Sequence, residues 1–547
     1  MSGALGSRTV WWWLSLALLV VMLVFLLYPL LNILTGSIGT GGRNGWALFM
    51  ADPRYLEAVR NTLVLASAVT TLSVLIGVPL AYLASRYTFP GKTALALLPL
   101  IALVIPEVIA AQTWLMLVGN NGVVTRALRA VDIAMPSFYG WNGLIVSLTF
   151  TYYAYVYIST LAAIRGFDVQ LEEAARSLGT SPVKSRLKVL VPVILPSVMA
   201  GALLVFTMVM GNFGTSSILG GQVRLLSVMT YQAAVAEGGS DPVMQSTLAS
   251  VAVGLIVIVL FLQRWILSRG RYQVVQGRSA RPVPLRGGQA LLLGGAAGLV
   301  VLISLMPLVM LLVGSFTRSR GPVMAWGEWT LANFERLIFL NPTPITNTLI
   351  YAGAATLIGM AFSTLISYII VKKRNVFTPA LDYLGTLPLA LSGTAIGIGL
   401  AMSFNSGWLH LAGTGAIIVL AYVIRRLPFA MRNASSTLYN IPDSIEEASI
   451  SLGVPPVPSF FKVVLPLMLP AIASATVLTW AVTVSELSAS IIVYSGGRET
   501  MPIQIYKLID SNLMAQASAM GVLLLAVILI PIVVATKVFK VELFSSG

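Results

Sequence analysis

The sequence predicts an all-α membrane protein of about twelve transmembrane helices, arranged as two homologous six-helix halves. Three observations predict it: too little charge for a water-facing surface, twelve apolar stretches of spanning length, and an internal repeat that pairs those stretches six by six. Of the 547 residues, 57% are hydrophobic and 10% are charged, with a mean hydropathy of +0.89. Soluble domains carry about 25% charged residues, and a soluble chain this long would divide into several domains, each with its own polar surface. That surface is missing, so the surrounding solvent is lipid. The same composition excludes disorder and fibrous repeats. The absence of cysteine excludes disulfides, thiolate metal sites and cysteine nucleophiles. A single histidine, His410, leaves no His-based metal cluster or catalytic triad. Transport fits this residue inventory better than bond chemistry.

A bilayer core about 30 Å thick takes roughly 20 apolar residues per spanning helix. Such stretches lie near 11–35, 61–85, 94–118, 143–164, 190–213, 246–267, 289–315, 346–371, 380–404, 413–433, 464–490 and 516–537. The first opens with Trp11, Trp12 and Trp13, as an interfacial belt does. It is too long for a signal-peptide core and no small-residue cleavage site follows, so it reads as a retained helix. The formal net charge is +15. With the N-terminus inside, that side holds Arg8, Arg86, Lys92, the 165–188 and 264–286 clusters, Lys372, Lys373, Arg374, Arg425, Arg426, Arg432, Lys462, Lys537 and Lys540, which is 23 of the 34 basic residues. The bias obeys the positive-inside rule and predicts both termini on the cytoplasmic side. The excess charge is therefore a topology signal, and nucleic acid is not an expected partner.

The repeat sets the domains. Asn61, Thr62 and Leu63 recur as Asn347, Thr348 and Leu349, an offset of 286 that also pairs Thr70 with Thr356, Tyr82 with Tyr368 and Arg86 with Lys372. Beyond an insertion expected around 119–142, the offset is 274 and pairs Pro192 with Pro466 and Pro196 with Pro470. Six spans per half give both halves the same orientation, with the pseudo-twofold axis along the membrane normal. The expected division is a first half over 1–268, a basic linker over 269–288 and a second half over 289–547. The linker, with Arg269, Arg271, Arg278, Arg281, Arg286, Pro282 and Pro284, reads as a flexible cytoplasmic connection.

Between the fourth and fifth spans of each half lies a polar segment, 165–191 and 434–465. Leu171, Ala174, Ala175 and Leu178 stand at i, i+3, i+4 and i+7, one face of a short helix, and Ile445, Ala448, Ser449 and Leu452 repeat it. Ser444 with Glu447 has capping-box spacing, without an equivalent in the first half. Gly179 and Gly453 suit helix C-termini, and Pro182 and Pro455 suit the first turn of a second short helix. Two such knobs, on one side of the membrane, suit a twofold partner better than packing against the protein's own loops.

Glu173, Ala174, Ala175 and Gly179, followed by Val189, Val191 and Pro192, resemble the signature loop of ABC importer permeases, as do Glu447, Ala448, Ser449, Gly453, Val463, Leu465 and Pro466. Ser449 stands where that signature has alanine. The resemblance implies a type I importer (MetI-like) fold, with each knob a coupling helix on a separate ATPase subunit. Two ATPase copies would then hold the ATP and Mg, this chain would bind no cofactor, and an extracytoplasmic substrate-binding protein would deliver the cargo. The chain has no Gly-x-x-x-x-Gly-Lys-Ser/Thr loop of its own. Such permeases reside in the prokaryotic cytoplasmic membrane.

Fusion of the two halves resembles the ferric-iron type of permease, with phosphonate, thiamine and other small solutes as alternatives. Gly211–Leu219, containing Asn212, Phe213 and Gly214, is similar to a run in that group, where an acid stands at the asparagine. Glu486, Leu487 and Ser488 resemble that group's acidic run in the second half. These residues, together with Glu107 after Pro106, are the expected translocation pathway or gate, because a charge at mid-span costs about 2.5–3.5 kcal/mol and so faces a cavity or a partner. Gly294 with Gly298 could bring two helices close, Gly397 with Gly399 lies in an expected span and cannot be a dinucleotide loop, and Tyr152, Tyr153, Tyr155 and Tyr157 read as packing and interface belt. An ion-coupled secondary transporter is the rival class, but it gives no reason for paired knobs.

Overall fold

The computed structural model describes residues 2–39, 43–102, 105–235, 241–269, 281–285, 287–320, 323–407 and 409–538. The first half runs α1 (Thr9–Ile38), α2 (Pro53–Arg86), α3 (Lys92–Ala102), α4 (Glu107–Val118), α5 (Trp141–Arg165), α6 (Val169–Ser177), α7 (Pro182–Met210), α8 (Gly214–Leu219), α9 (Leu226–Val235) and α10 (Pro242–Gln263). The second repeats it as α11 (Gly288–Ser315), α12 (Thr343–Lys372), α13 (Thr378–Ala390), α14 (Gly393–Ser403), α15 (Gly415–Tyr439), α16 (Asp443–Ser451), α17 (Pro456–Val484), α18 (Ser490–Val493), α19 (Met501–Asp510) and α20 (Met514–Lys537). Each of these helices thus has a counterpart ten places on; a short helix, Gly45–Ala51, in the first half and a hairpin of Thr317–Arg320 with Val323–Trp329 in the second lie outside the pairing. The repeat changes offset between α4 and α5, where residues 119–140, with a helix at Val123–Arg129, stand against the shorter 404–414.

Among the described residues nine helices are long and apolar enough to span, or ten if the bent pair α13 and α14 is one span, so the expected twelve continuous spans are not all present. The stretch near 94–118 is two helices. Pro106 caps the second with φ −59° and ψ 142°, and its ring steers the residue before it away from helical backbone. Its counterpart near 380–404 bends by 114° between α13 and α14, where Ser392 Oγ accepts from the Ala395 amide at 3.1 Å. The stretch near 413–433 is the continuous helix α15, but Arg425, Arg426 and Arg432 lie within it.

Four segments are wound as five-residue π-helix: Leu23–Leu27, Arg186–Leu190, Arg336–Leu340 and Phe460–Val464. Each ends two residues before a proline: Pro29, Pro192, Pro342 and Pro466. A proline ring presses on the carbonyl four residues back. Before Pro29, Pro192 and Pro466 the wider turn, closed by the residue before the proline (Val191 N–H to Arg186 O, Leu465 N–H to Phe460 O), accommodates the ring without ending the helix, whereas at Asn341, with φ −140°, the helix ends. The expected second short helix of each knob is therefore not separate. α7 and α17 begin at Pro182 and Pro456, with Pro455 as the cap, and continue through the π turn into the apolar run.

The halves exchange their first helices. α1 lies on the second half: Trp11, 5% exposed, packs its ring 5.0 Å from Tyr368 and 6.2 Å from Phe460. Asn375 Nδ2 donates to Ser15 Oγ at 2.7 Å and Asn32 Nδ2 to Ser403 Oγ at 2.8 Å. Gly399 has only hydrogen toward Pro29, whose carbonyl would stand 3.0 Å from an added Cβ. In return α11 packs on α3, α4 and α20, with Tyr153 and Ser304 hydroxyls 3.0 Å apart. Trp11 is thus an inter-half contact and not a belt residue, while Trp13 is 60% exposed. Gly298 has no neighbour within 4 Å of an added Cβ, so the Gly294–Gly298 pair is not a close helix crossing. The linker is tied at its end: Val283 and Pro284 pair in parallel with Tyr87 and Thr88, and the Leu285 amide donates to Thr88 O at 2.9 Å. Arg271, Arg278, Arg286 and Lys540 lie outside the described residues.

Trp11→Ala should lower the thermal unfolding midpoint of the detergent-purified chain, at a cost of about 3–5 kcal/mol for a buried tryptophan. Trp13→Ala should leave the midpoint unchanged.

Candidate functional site

Two places combine the predicted residues: a pair of knobs at one end of the helices, and a polar contact midway along them. In the first knob Asp168 Oδ1 caps α6 by accepting the Gln170 amide at 3.0 Å. α16 starts at Asp443 after Pro442 with no side-chain cap, so the Ser444–Glu447 capping box does not form and Ser444 lies inside the helix. Both knobs close with paired turn bonds: Gly179 N to Arg176 O at 2.9 Å and Thr180 N to Ala175 O at 3.1 Å, then Gly453 N to Ile450 O at 3.0 Å and Val454 N to Ser449 O at 3.1 Å. Gly179 and Gly453 have φ of 84° and 92°, with nothing within 4 Å of an added Cβ. Backbone conformation alone demands glycine there, since a left-handed residue with a side chain costs roughly 1–2 kcal/mol.

The knobs are fastened by residues the sequence reading passed over. Glu172 pairs with Arg86 at 2.8 Å. Glu446 pairs with Lys373 at 2.6 Å and accepts the Tyr368 hydroxyl at 2.7 Å, while Lys372 holds Asp443. The clue was present: Arg86 and Lys372 match under the repeat and end the helices that face the knobs. With the preceding glutamate turned inward, Glu173 and Glu447 point out beside exposed Ala174 and Ala448, while Ala175 is half-buried and Ser449 buried. Leu178 and Leu452 are 88% and 87% exposed. Much of the expected apolar face thus points away from the protein, twice, at equivalent positions.

At mid-membrane, Glu107 is the first residue of α4 rather than a mid-helix residue. It accepts the Tyr152 hydroxyl at Oε1 and Asn212 Nδ2 at Oε2, the latter at 2.6 Å. Asn212 lies in the break between α7 and α8, and its Oδ1 accepts the Ser216 amide at 3.1 Å. An aspartate there would set a second carboxylate against Glu107, which is why the amide suits this chain. In the second half Glu486 lies in the equivalent break between α17 and α18. Arg425 Nε stands 2.6 Å from its Oε2, Arg426 pairs with the same oxygen, and the Ala489 amide donates to Oε1 at 3.2 Å. Tyr152 and Arg426 are equivalent under the 274 offset and sit midway along α5 and α15. The two arginines therefore belong to the helix interior and not to the charge bias at its end.

The two clusters meet across the halves. Val108, next to Glu107, and Leu487, next to Glu486, both flank Gly214, 2.9 and 3.5 Å from where its Cβ would stand. An added Cβ on Gly211 would stand 3.5 Å from Ser392 Cβ, and one on Gly214 3.5 Å from Leu487 Cδ2. One on Gly393 would stand 2.6 Å from Ser488 Cβ, within the second half. Phe213 is fully buried, its ring 4.7 Å from Tyr231 and 5.7 Å from Tyr506. All seven residues expected in the pathway thus lie at one contact that closes the space between the halves. From sequence alone, Tyr152 reads as packing and Arg425 and Arg426 as a topology signal. Two consecutive arginines inside an apolar stretch were the missed signal.

Residues 73–272 and 296–541 match the sequence profile of the binding-protein-dependent transport system inner membrane component. The chain is 28% identical over 553 residues to the "Probable ABC transporter permease protein y4fN" of Sinorhizobium fredii, covering 97% of this chain and 96% of that one. It is 25% identical over 533 residues to the ferric transport system permease protein of Actinobacillus pleuropneumoniae, covering 94% and 76%. Among solved structures, the MetNI methionine ABC transporter in inward facing conformations aligns with a TM-score of 0.31 at 22% identity, over 39% of this chain and 94% of that one.

The contact makes a direct prediction. Cβ atoms about 3.5–4.5 Å apart can form a disulfide, and the chain has no cysteine of its own. Gly211→Cys with Ser392→Cys should cross-link under mild oxidation, seen by mass spectrometry as a linked peptide pair. No linked peptide in the double-cysteine chain would place the halves apart.

Proposed function

Because the chain belongs to the family of binding-protein-dependent transport system inner membrane components, and is a multi-pass transport subunit whose ATPase is a separate chain, we propose that its two knobs seat on two copies of an ABC ATPase that holds ATP and Mg. The observation that carries this is the matched pair of fastened knobs, each presenting an exposed leucine, a glutamate and a glycine turn. On this reading the knob face and both termini are cytoplasmic, the opposite face receives a loaded substrate-binding protein, and the linker of 269–288 joins halves 1–268 and 289–547. Closure of the ATPase dimer draws the knobs together and parts the halves at the far side. Cargo then passes between Glu107, Asn212, Phe213 and Gly214 on one wall and Glu486, Leu487 and Ser488 on the other. Ferric iron is the first cargo to test, supported by the name of the Actinobacillus relative, with phosphonate and thiamine next. Family membership sets aside the ion-coupled secondary transporter.

Mild-detergent purification from native membranes, with mass spectrometry of what co-purifies, tests the assembly. An ATPase subunit and a binding protein are expected; a lone chain whose uptake ignores ATP would overturn it. Leu178→Asp with Leu452→Asp should abolish ATPase retention while the chain itself still purifies. Gly179→Val or Gly453→Val should keep some retention but uncouple hydrolysis from uptake, and normal coupling in both would remove the glycine turns from the mechanism.

A further inference from the structure

We propose that the cargo meets Arg425 as an anion, and that Glu107 stands in for the cargo's negative charge while the path is closed. The proposal rests on the importer reading above and names the class of solute it carries. The charges, taken half by half, do not balance. The second-half wall carries two guanidiniums and one carboxylate, and both guanidiniums address the same Oε2 of Glu486, whose Oε1 takes the Ala489 amide. One positive charge is left over.

Exposure shows where the surplus lies. Arg426 keeps 11% of its side chain exposed and also donates to Val482 O at 2.8 Å; Glu486 keeps 4%, and Arg425 keeps 26%. Arg425 is therefore the most exposed member, and its Nη1 would stand 2.6 Å from a Cβ on Gly393, next to Ser392, which faces Gly211 of the first half. The carboxylate set to balance it lies on the opposite wall: Glu107, held by Tyr152 and Asn212, precedes Val108, which flanks Gly214 together with Leu487, the residue after Glu486. The surplus is not a by-product of duplication, because the positions equivalent to Arg425 and Arg426 are Thr151 and Tyr152, which bring no positive charge.

When the halves part, Glu107 leaves with α4 while Arg425 stays with α15, and a guanidinium faces an apolar wall without its counter-charge. An anion arriving at that moment restores the balance, and the planar fork of Arg425 suits carboxylate, sulfate-type or phosphate-type oxygens. The transported class is thus an oxyanion, or a metal ion wrapped in a chelate with anionic oxygens outward. Ferric iron, if carried, crosses as such a chelate and not as a bare cation.

The test uses the complete transporter with its co-purified ATPase and binding protein in proteoliposomes. ATP-driven uptake is measured for radiolabelled ferric citrate, sulfate, molybdate and methylphosphonate, with thiamine as the cationic reference. Uptake confined to one or more anionic probes is expected; uptake of thiamine, or of no anion, overturns the proposal. Arg425→Gln keeps the Arg426–Glu486 pair, so it should still fold, retain the ATPase and form the 211–392 cross-link, while uptake falls at least tenfold. Arg425→Lys should recover part of it, and wild-type uptake by Arg425→Gln overturns the proposal. Glu107→Gln removes the stand-in, and should raise ATP hydrolysis severalfold without any probe present; unchanged basal hydrolysis also counts against it. A preparation that retains no ATPase fails the importer reading instead, and is told apart by that loss before any probe is added.

Discussion

A guanidinium in the middle of a lipid-embedded helix must find a counter-charge, and this chain has two, side by side. Insertion scales put each at about 2.5–3.5 kcal/mol unpaired at the helix centre. The pairing with Glu486 answers that cost, and much of the local architecture follows from it. Glu486 reaches both arginines because it lies in the break between α17 and α18, where the chain is no longer helical. An irregular stretch at membrane depth is tolerated only where protein covers it. Here α15 and the opposite half supply that cover, with Tyr422 donating to Glu486 O at 3.3 Å and Ser490 Oγ to the same carbonyl at 2.9 Å.

Duplication supplied the frame and divergence supplied the chemistry. Both halves break the same helices at equivalent places, and both fasten the knob with an inward glutamate. At mid-membrane they differ: Tyr152 and Asn212 in one half stand where Arg426 and Glu486 stand in the other. The first-half cluster is built on neutral donors around one carboxylate, and the second on charge. A contact between two identical walls would set like against like. The substitutions make the walls complementary, so the closed state is stabilised by partners that neither half could supply alone.

Much of this was legible in the sequence, and the failures have physical causes. The glycine turns of the knobs were readable because a left-handed residue leaves almost no alternative to glycine, and Gly179 and Gly453 have the expected positive φ. Glu107 and Glu486 could be singled out because intramembrane acids are costly, and both lie at the contact between the halves. The count of spans was not, because hydropathy averages over a window and cannot see that Pro106 and Ser392 start new helices. The arginines of α15 were misassigned for the same reason: a window that expects charge only at helix ends counts Arg425 and Arg426 as an end. The π turns were in principle visible, since each precedes a proline that an uninterrupted helix could not accept. The roles of Glu172 and Glu446 depended on which face of a nine-residue helix turned inward, and only the positions of Arg86 and Lys373 decide that.

The two sites are joined by single elements. α7 begins at Pro182, beside the first knob, and ends at Met210, one residue before the contact at Gly211 and Asn212; α17 does the same from Pro456 to Val484, just before Glu486. Each is 29 residues, roughly 43 Å at 1.5 Å per residue. The knob ends are clamped to α2 and α12 by Arg86, Lys372 and Lys373, and the far ends carry the side chains that hold the opposing charges together. Past the glycine turn, a displacement at the knob has no further loop in which to be absorbed, because the helical path continues through the π turns at 186–190 and 460–464. The prolines that require those turns therefore sit where a wider, less regular winding can bend without ending the helix. In this frame the exposed leucine before each long helix and the polar residue just past its far end, Asn212 or Glu486, belong to one mechanical element, present twice.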